Sequence, residues 1–459
     1  MSQVVQNFLA RVYCQVTCRT AFAIAVLILF FGTVAAGAEY GGADNNVDAA
    51  ATEAIDTPAP NPSTVQPPSI WRQDHMLLWG EDRSKLAQNG FTYDFFYIID
   101  SLGDFDTPAQ TRQEYNGWGR IRGTVNADFG RMGGPKGLTF FATGLWQYGQ
   151  NMGAILGSIA NPSGLVSIHT FRLDSLWLHQ ALWDGKLQIR AGQFALQDYY
   201  GNQVYGGNFL IEPLDYNFEN MGNVRASWDP ASSPAAAIRI QPTRSFFFHS
   251  GIFAPRNYSG TGFNYRKTDN NGFDTSAAWA SEFGYNTFAH PDSRHANYQG
   301  ILKVGSIYNG GKFTSYPTNT TVRGNYMIYA QLAQPLYRVS ASGDRGLDFT
   351  AGLATGPSDK AEVPTEETFG ATWNGPWSMR SHDAFSIGVV NSNISSKYND
   401  YLAAGSMAAL VHETALEINY KAQLTPWMYL QPVFQHYSNL GGAPGKSASI
   451  AGMRLFVDF

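Results

Sequence analysis

Ile121-Arg122-Gly123-Thr124-Val125-Asn126-Ala127-Asp128-Phe129 carries an apolar residue or glycine at every odd position and a polar residue at every even one. Arg120, just before it, keeps the polar parity. A period of two sends alternate side chains to opposite faces of an extended strand. Asn325 to Leu332 and Glu413 to Tyr420 alternate in the same way. Soluble sandwiches alternate too, so the connections between such stretches decide. Short turns stand at Gly133-Gly134-Pro135-Lys136-Gly137, Asp184-Gly185-Lys186, Gln241-Pro242-Thr243-Arg244 and Leu424-Thr425-Pro426. Long polar connections lie near 100–116, 150–170, 196–234, 255–275, 356–366 and 392–410. Short and long alternate, as in barrels that cross an outer membrane with short turns on one side and long loops on the other.

Under that rule, strand cores fall near 91–99, 119–130, 138–149, 171–183, 187–195, 235–241, 245–254 and 276–285. The second half places them near 298–308, 323–337, 346–355, 367–374, 382–391, 411–422, 427–437 and 447–459. The expected fold is all-β, a transmembrane antiparallel β-barrel of about 16 strands preceded by a short helix over 81–88, with Asn89-Gly90 as its stop. A count of about 18 stays open, because 367–374 is weakly patterned and 286–297 exceeds a tight turn. Val125, Ala127, Phe129, Tyr326, Ile328 and Leu332 are expected to face lipid, and Arg120, Arg122, Asn126, Asp128, Asn325 and Gln331 the lumen. In the last stretch, Met453, Leu455, Val457 and Phe459 form one apolar face, while Arg454 and Asp458 take the other.

Composition agrees with this reading. Charged residues make up 15% of the 459, aromatics 14%, and glycine numbers 47; soluble chains average roughly 25% charged. A net charge of −5 gives no reason to expect a nucleic-acid partner. Arg11 and Arg19, the apolar run Ala21 to Phe31 and the A-x-A site at Ala36 and Ala38 read as a signal peptide over 1–38, with an uncleaved anchor as the alternative. Cys14 and Cys18 fall inside it, so the exported chain is expected to hold no disulfide. Residues 39–70, with Pro58, Pro60, Pro62, Pro67 and Pro68 and almost no large apolar side chain, read as a disordered linker. That leaves 71–459 for the barrel.

Enzymatic motifs do not survive inspection. His412-Glu413-Thr414-Ala415-Leu416 begins like a zinc-protease helix, but Leu416 stands where the second ligand belongs. Gly445-Lys446-Ser447 ends like a phosphate loop, yet Leu440 replaces the first glycine. His290 and His295 flank Pro291 in a connection, and Asp269-Asn270-Asn271-Gly272 departs from a calcium loop at its fourth position. No catalytic residue, metal or cofactor is expected, although a barrel-borne enzyme stays as a lesser alternative.

Several stretches resemble the carbohydrate-selective porins of the OprB type, in order from about Leu78 to Phe459. They are Trp79-Gly80 with Arg83-Ser84-Lys85-Leu86 and Asn89-Gly90-Phe91, Asp184 to Gln193, Ile238 to Thr243, Gly251-Ile252-Phe253, Tyr326 to Gln334, Gln423 to Gln435, Gly441-Gly442, and Gly452 to Phe459. Gln193 replaces a basic residue of that family, and Leu440 a proline. The resemblance implies a barrel for passive diffusion of small sugars, assembled as a homotrimer in outer-membrane lipid of a Gram-negative-type bacterium after export through the Sec pathway. Phe459 resembles the terminal signal read by the barrel-assembly machinery.

A sugar in a narrow pore loses water from its hydroxyls and needs replacement hydrogen bonds. Arginine offers a planar fork of donors, carboxylates offer acceptors, and an aromatic face meets the C–H side of the ring. Trp118, Arg120, Arg122, Trp177, Arg190 and Glu282 fit these roles by parity and family-like position. The competing reading is a general or anion-preferring diffusion porin, resting on Arg120, Arg122, Arg190, Arg239 and Lys303, against which stand Asp128, Glu282, Glu413 and Glu417. The sequence leaves open whether 196–234 folds inward.

Overall fold

The computed structural model describes residues 76, 80–105, 115–165, 169–254, 276–288, 298–340 and 345–459. The signal segment, the linker, Trp79, His290, His295 and Asp269 to Gly272 lie outside them.

Sixteen antiparallel strands close into one barrel, each pairing with its sequence neighbours and β1 with β16. They run β1 Phe91–Asp104, β2 Tyr115–Asp128, β3 Leu138–Gly149, β4 Thr170–Leu182, β5 Leu187–Phe194, β6 Ser233–Ile240, β7 Phe246–Phe253 and β8 Ala278–Asn286. They continue as β9 Ile301–Ser315, β10 Thr320–Arg338, β11 Gly346–Thr355, β12 Thr365–Asn374, β13 Ala384–Asn393, β14 Glu413–Thr425, β15 Met428–Ser438 and β16 Ser447–Asp458. Every expected strand has its counterpart, the weakly patterned 367–374 included. Lipid offers no partner to an open sheet edge, so closure is the only stable arrangement. The closing seam runs from Phe96 opposite Asp458 to Asp104 opposite Ile450.

The main departure lies at β9 and β10, which extend to Ser315 and Thr320 and make a tight hairpin where a longer connection was expected. The two strands stay paired out to Ser315 and Thr320 through a register shift near Gly324. Ahead of the barrel, the helix Gly80–Gln88 ends at Gly90, whose φ of 87° suits glycine and whose Cβ would lie 2.6 Å from the Asp128 carbonyl.

The two faces follow the expected parity. Tyr326, Ile328, Phe369 and Ile387 are exposed on the outer wall, whereas Asn325, Gln331, Glu366 and Ser386 are buried on the inner one. Phe129 instead lies in the turn beyond β2, and Asp128 pairs with Arg131 at 3.5 Å. On β4 the parity changes at a register shift, so that Arg172, Asp174, Ser175 and Trp177 are all buried. A bulge of this kind re-aims side chains within one strand.

The core sits inside the lumen. Residues 195–232, between β5 and β6, fold inward, and Phe209, Leu210, Ile211, Leu214, Phe218 and Met221 are nearly inaccessible. Burying a side chain of this size is worth roughly 1.5–3 kcal/mol. Glycines on the inner wall make the recess. A Cβ on Gly388 would approach Leu214 to 2.5 Å, one on Gly370 would approach Phe209 to 3.1 Å, and one on Gly352 would approach Phe218 to 2.7 Å. Larger residues there would push the loop toward the open lumen.

Candidate functional site

One edge of the inward loop is fastened to the wall by polar groups that the alternation places inside. Glu417 accepts the Leu210 N–H at 2.9 Å and the Ile211 N–H at 2.7 Å. Lys303 Nζ donates to the Asn202 carbonyl at 2.6 Å, and Gln331 donates to the Gly201 carbonyl at 2.6 Å. Arg454 binds both oxygens of Asp100, at 2.7 and 2.9 Å, and donates to the Phe209 carbonyl at 3.1 Å. The preceding loop is held likewise, with Glu413 accepting the Ala160 N–H at 2.8 Å. Loop amides and carbonyls that would be orphaned in an apolar packing thus find acceptors and donors on the strands.

The other edge of the loop is acidic and faces β2. Asp198, Asp215, Tyr216 and Asp229 line a cavity of about 270 Å³ together with Arg120, Arg122, Thr124 and Asn126 of β2 and Phe96 of β1. Arg120 is an ion-pair partner of Asp229 and donates to Gln147 Oε1 at 2.9 Å. Arg122 has no protein hydrogen-bond partner among the described residues, so its donors are left to the cavity. The field around it is negative, from Asp229, Asp198 and Asp174.

Burial, with Asp229 and Asp174 nearby, pushes the Asp198 carboxyl up to about 7, against the hydrogen bond that Tyr216 donates to it. Burial likewise takes Asp215 to about 6, opposed by Arg454. Asp229 behaves differently: burial works against its charge, but Arg120 and Arg122 outweigh that and hold it below the ordinary carboxylate range. One acid is therefore fixed in its ionised form while its neighbours titrate close to neutrality.

The six residues singled out from the sequence divide into three places. Trp118, Arg120 and Arg122 follow one another along the inner face of β2, with Trp118 buried edge-on against His169 at 5.1 Å. Trp177 and Arg190 meet on β4 and β5, where the guanidinium is sandwiched 4.1 Å from the Trp177 ring and 4.0 Å from the Tyr199 ring. Phe141 stacks on the far side of Trp177 at 4.6 Å. Glu282 does not line the cavity. It accepts from Tyr329 at 2.8 Å and from the Gly201 N–H at 3.2 Å, with Lys303 at 4.0 Å, and so braces the loop.

Sequence reasoning missed Arg172, Asp174, Asp198 and Asp229. The alternation in Phe171-Arg172-Leu173-Asp174 was a usable signal for the first two. Nothing periodic marks the two loop acids.

Similarity to known proteins is consistent with this architecture. Porin B of Pseudomonas aeruginosa is 21% identical over 429 residues, covering 83% of this chain and 90% of that protein. The high-pH structure of Pseudomonas putida OprB superposes with a TM-score of 0.74 at 17% identity, over 83% of this chain and 97% of that one. Its low-pH structure gives 0.55 at 16% identity, over 84% and 99%. The profile of the carbohydrate-selective porin, OprB family matches residues 113–459, most of the chain. This chain therefore belongs to the OprB family of carbohydrate-selective porins, and its closed barrel is an outer-membrane channel through which sugars pass.

Proposed function

We propose that small sugars cross this barrel by passive diffusion through the gap between β2 and the acidic edge of the loop 195–232. The observation that carries the reading is Arg122, whose donors face a cavity that Asp198 and Asp229 line from the opposite side. A sugar offers vicinal hydroxyls that accept from a guanidinium fork and donate to a carboxylate. Arg120, neutralised by Asp229, keeps the loop at its distance from β2. Trp118 and the Trp177–Arg190–Tyr199 stack supply apolar and cationic wall, and Glu282 acts through the loop it braces. Each contact has to stay weak, because a tight site would stop flux.

The assembly is a homotrimer in this reading, exported by the Sec pathway. Phe459 serves as the handle for the barrel-assembly machinery. Its ring lies 5.3 Å from Phe95, and Arg83 donates to its carbonyl at 2.9 Å.

Liposome swelling with glucose against an amino acid of similar size tests the constriction. Wild type is expected to favour glucose, and Arg122→Ala to lower that preference about fivefold, the worth of roughly one hydrogen bond. An unchanged ratio in the mutant removes Arg122 from the eyelet; equal rates in wild type defeat sugar preference altogether. A general, anion-preferring pore is the second reading, favoured by Arg172, Arg190 and Arg239 on the inner faces of β4, β5 and β6. Reversal potentials in a salt gradient separate the two.

A further inference from the structure

A second cavity opens at the loop end of the barrel, away from β2. It holds about 280 Å³ and is lined by Glu219, Asn223 and Arg225 of the inward loop, Phe313, Thr314 and Tyr316 at the end of β9, and Lys360 and Glu362 of the connection between β11 and β12. We propose that this cavity is an outer binding site for one neutral pyranose ring, where a sugar is captured before it reaches the constriction. The inference rests on the sugar-passage reading and adds a second, earlier point of contact.

The walls carry the groups such a ring needs. Arg225 ends the 3-10 helix Glu219–Val224 in the left-handed region, at φ 50°. Its guanidinium lies over the Phe313 ring at 4.9 Å. Among the described residues no protein acceptor takes a hydrogen bond from it, so its donors are open to a ligand. Glu362 Oε1 accepts from Tyr316 at 2.9 Å, and its other oxygen is left as an acceptor. Tyr316 is propped from behind by Tyr398 at 4.8 Å and Tyr401 at 5.7 Å, on the helix Ser396–Ala404. Its backbone N–H is tied to the Asp359 carbonyl at 2.7 Å. Donor fork, carboxylate acceptor and a supported aromatic face are thus fixed before any ligand arrives, which lowers the ordering cost of binding.

Size and charge select the ligand class. Pockets for drug-sized ligands run roughly 300–1,000 Å³, so 280 Å³ suits a single small ring. Arg225 faces the Glu362 carboxylate across the cavity, a donor fork set against an acceptor, which suits a neutral polyol. Lys360 is already engaged with the Gly324 carbonyl at 2.8 Å and holds the rim hairpin rather than the sugar. The floor of this cavity and the acidic edge of the constriction belong to the same loop, so a released sugar needs only to move along it.

The test is glucose flux into liposomes as a function of glucose concentration, for wild type, Arg225→Ala, Gly222→Trp and Arg122→Ala. Gly222 lines the cavity and a Cβ there would meet nothing within 4 Å, so Gly222→Trp fills the space without removing a polar contact. Both outer variants are expected to raise the half-saturating glucose concentration about fivefold, the loss of roughly one hydrogen bond to the ligand. Their salt conductance and their glucose-to-amino-acid ratio at saturation should match wild type, whereas Arg122→Ala should change that ratio. An unchanged half-saturation in both outer variants, with sugar preference intact in wild type, overturns the outer site alone. An equal fall in glucose and amino-acid flux means that the variants only narrow the pore, and overturns it too. Absence of sugar preference in wild type defeats both this inference and the constriction reading.

Discussion

Replacing Glu417 by alanine unfastens the inward loop 195–232 at a defined point. The carboxylate accepts from the Leu210 and Ile211 amides at 2.9 and 2.7 Å and from Asn419 and Gln435 at 2.7 and 3.2 Å. Leu210 and Ile211 are fully buried, so their two amides lose an acceptor in a place that water reaches poorly. Each buried donor left unpaired costs about 1–3 kcal/mol, giving about 2–6 kcal/mol for the pair. The apolar packing of Phe209, Leu210, Ile211 and Leu214 opposes full release, as do the recess glycines Gly370 and Gly388. The expected result is a barrel that assembles normally, with noisier single-channel conductance and weaker discrimination of glucose from an amino acid. Amide hydrogen exchange at Leu210 and Ile211 should speed up, while strand amides stay protected. Wild-type conductance noise and wild-type exchange at those two amides would refute the claim that Glu417 anchors the loop.

Two further outcomes follow from the same geometry. With Asp198 near 7 and Asp215 near 6, both raised chiefly by burial, lowering the pH from about 8 to about 5.5 removes negative charge opposite Arg122, while Asp229 stays ionised. Anion preference read from the reversal potential should therefore rise as pH falls, and Asp198→Asn should abolish the component near 7. A pH-independent potential would contradict the assignment. Phe369→Arg places a charge on the outer wall near the middle of β12, at a cost of about 2–4 kcal/mol. It should impair assembly as read by heat-modifiable gel migration, whereas Asn126→Leu on the inner wall should assemble; the reverse outcome would invert the parity.

Legibility of the site fell off with distance from the strands. Arg120 and Arg122 could be placed inside from the alternation of β2 alone, because a residue's face is set two positions at a time by its own neighbours. Glu282 obeyed the same parity and does face inward, yet it lies beneath the loop rather than at the cavity. Parity specifies a face; what stands opposite that face belongs to a segment far away in sequence. Asp198 and Asp229 show this most clearly, since one closes the three-residue 3-10 helix Leu196–Asp198 and the other lies in a turn, with no period to mark either.

What the amino-acid sequence determines by itself is the barrel. Alternation is a local property, and lipid admits only strands whose outer side chains are apolar and whose backbone groups are all paired. Alternating strands, short turns set against long loops and the apolar face that runs to Phe459 all follow from that constraint, whereas the count of sixteen is fixed by the closure of β1 on β16. Only the tertiary structure decides the channel. A loop of mixed composition turns inward because glycines far apart in sequence, Gly352, Gly370 and Gly388, align into one recess on neighbouring strands. Its amides are met there by Glu417 and its carbonyls by Gln331 and Lys303, from three strands around the wall. Those alignments depend on strand register and barrel closure, which bring together residues that no local pattern connects.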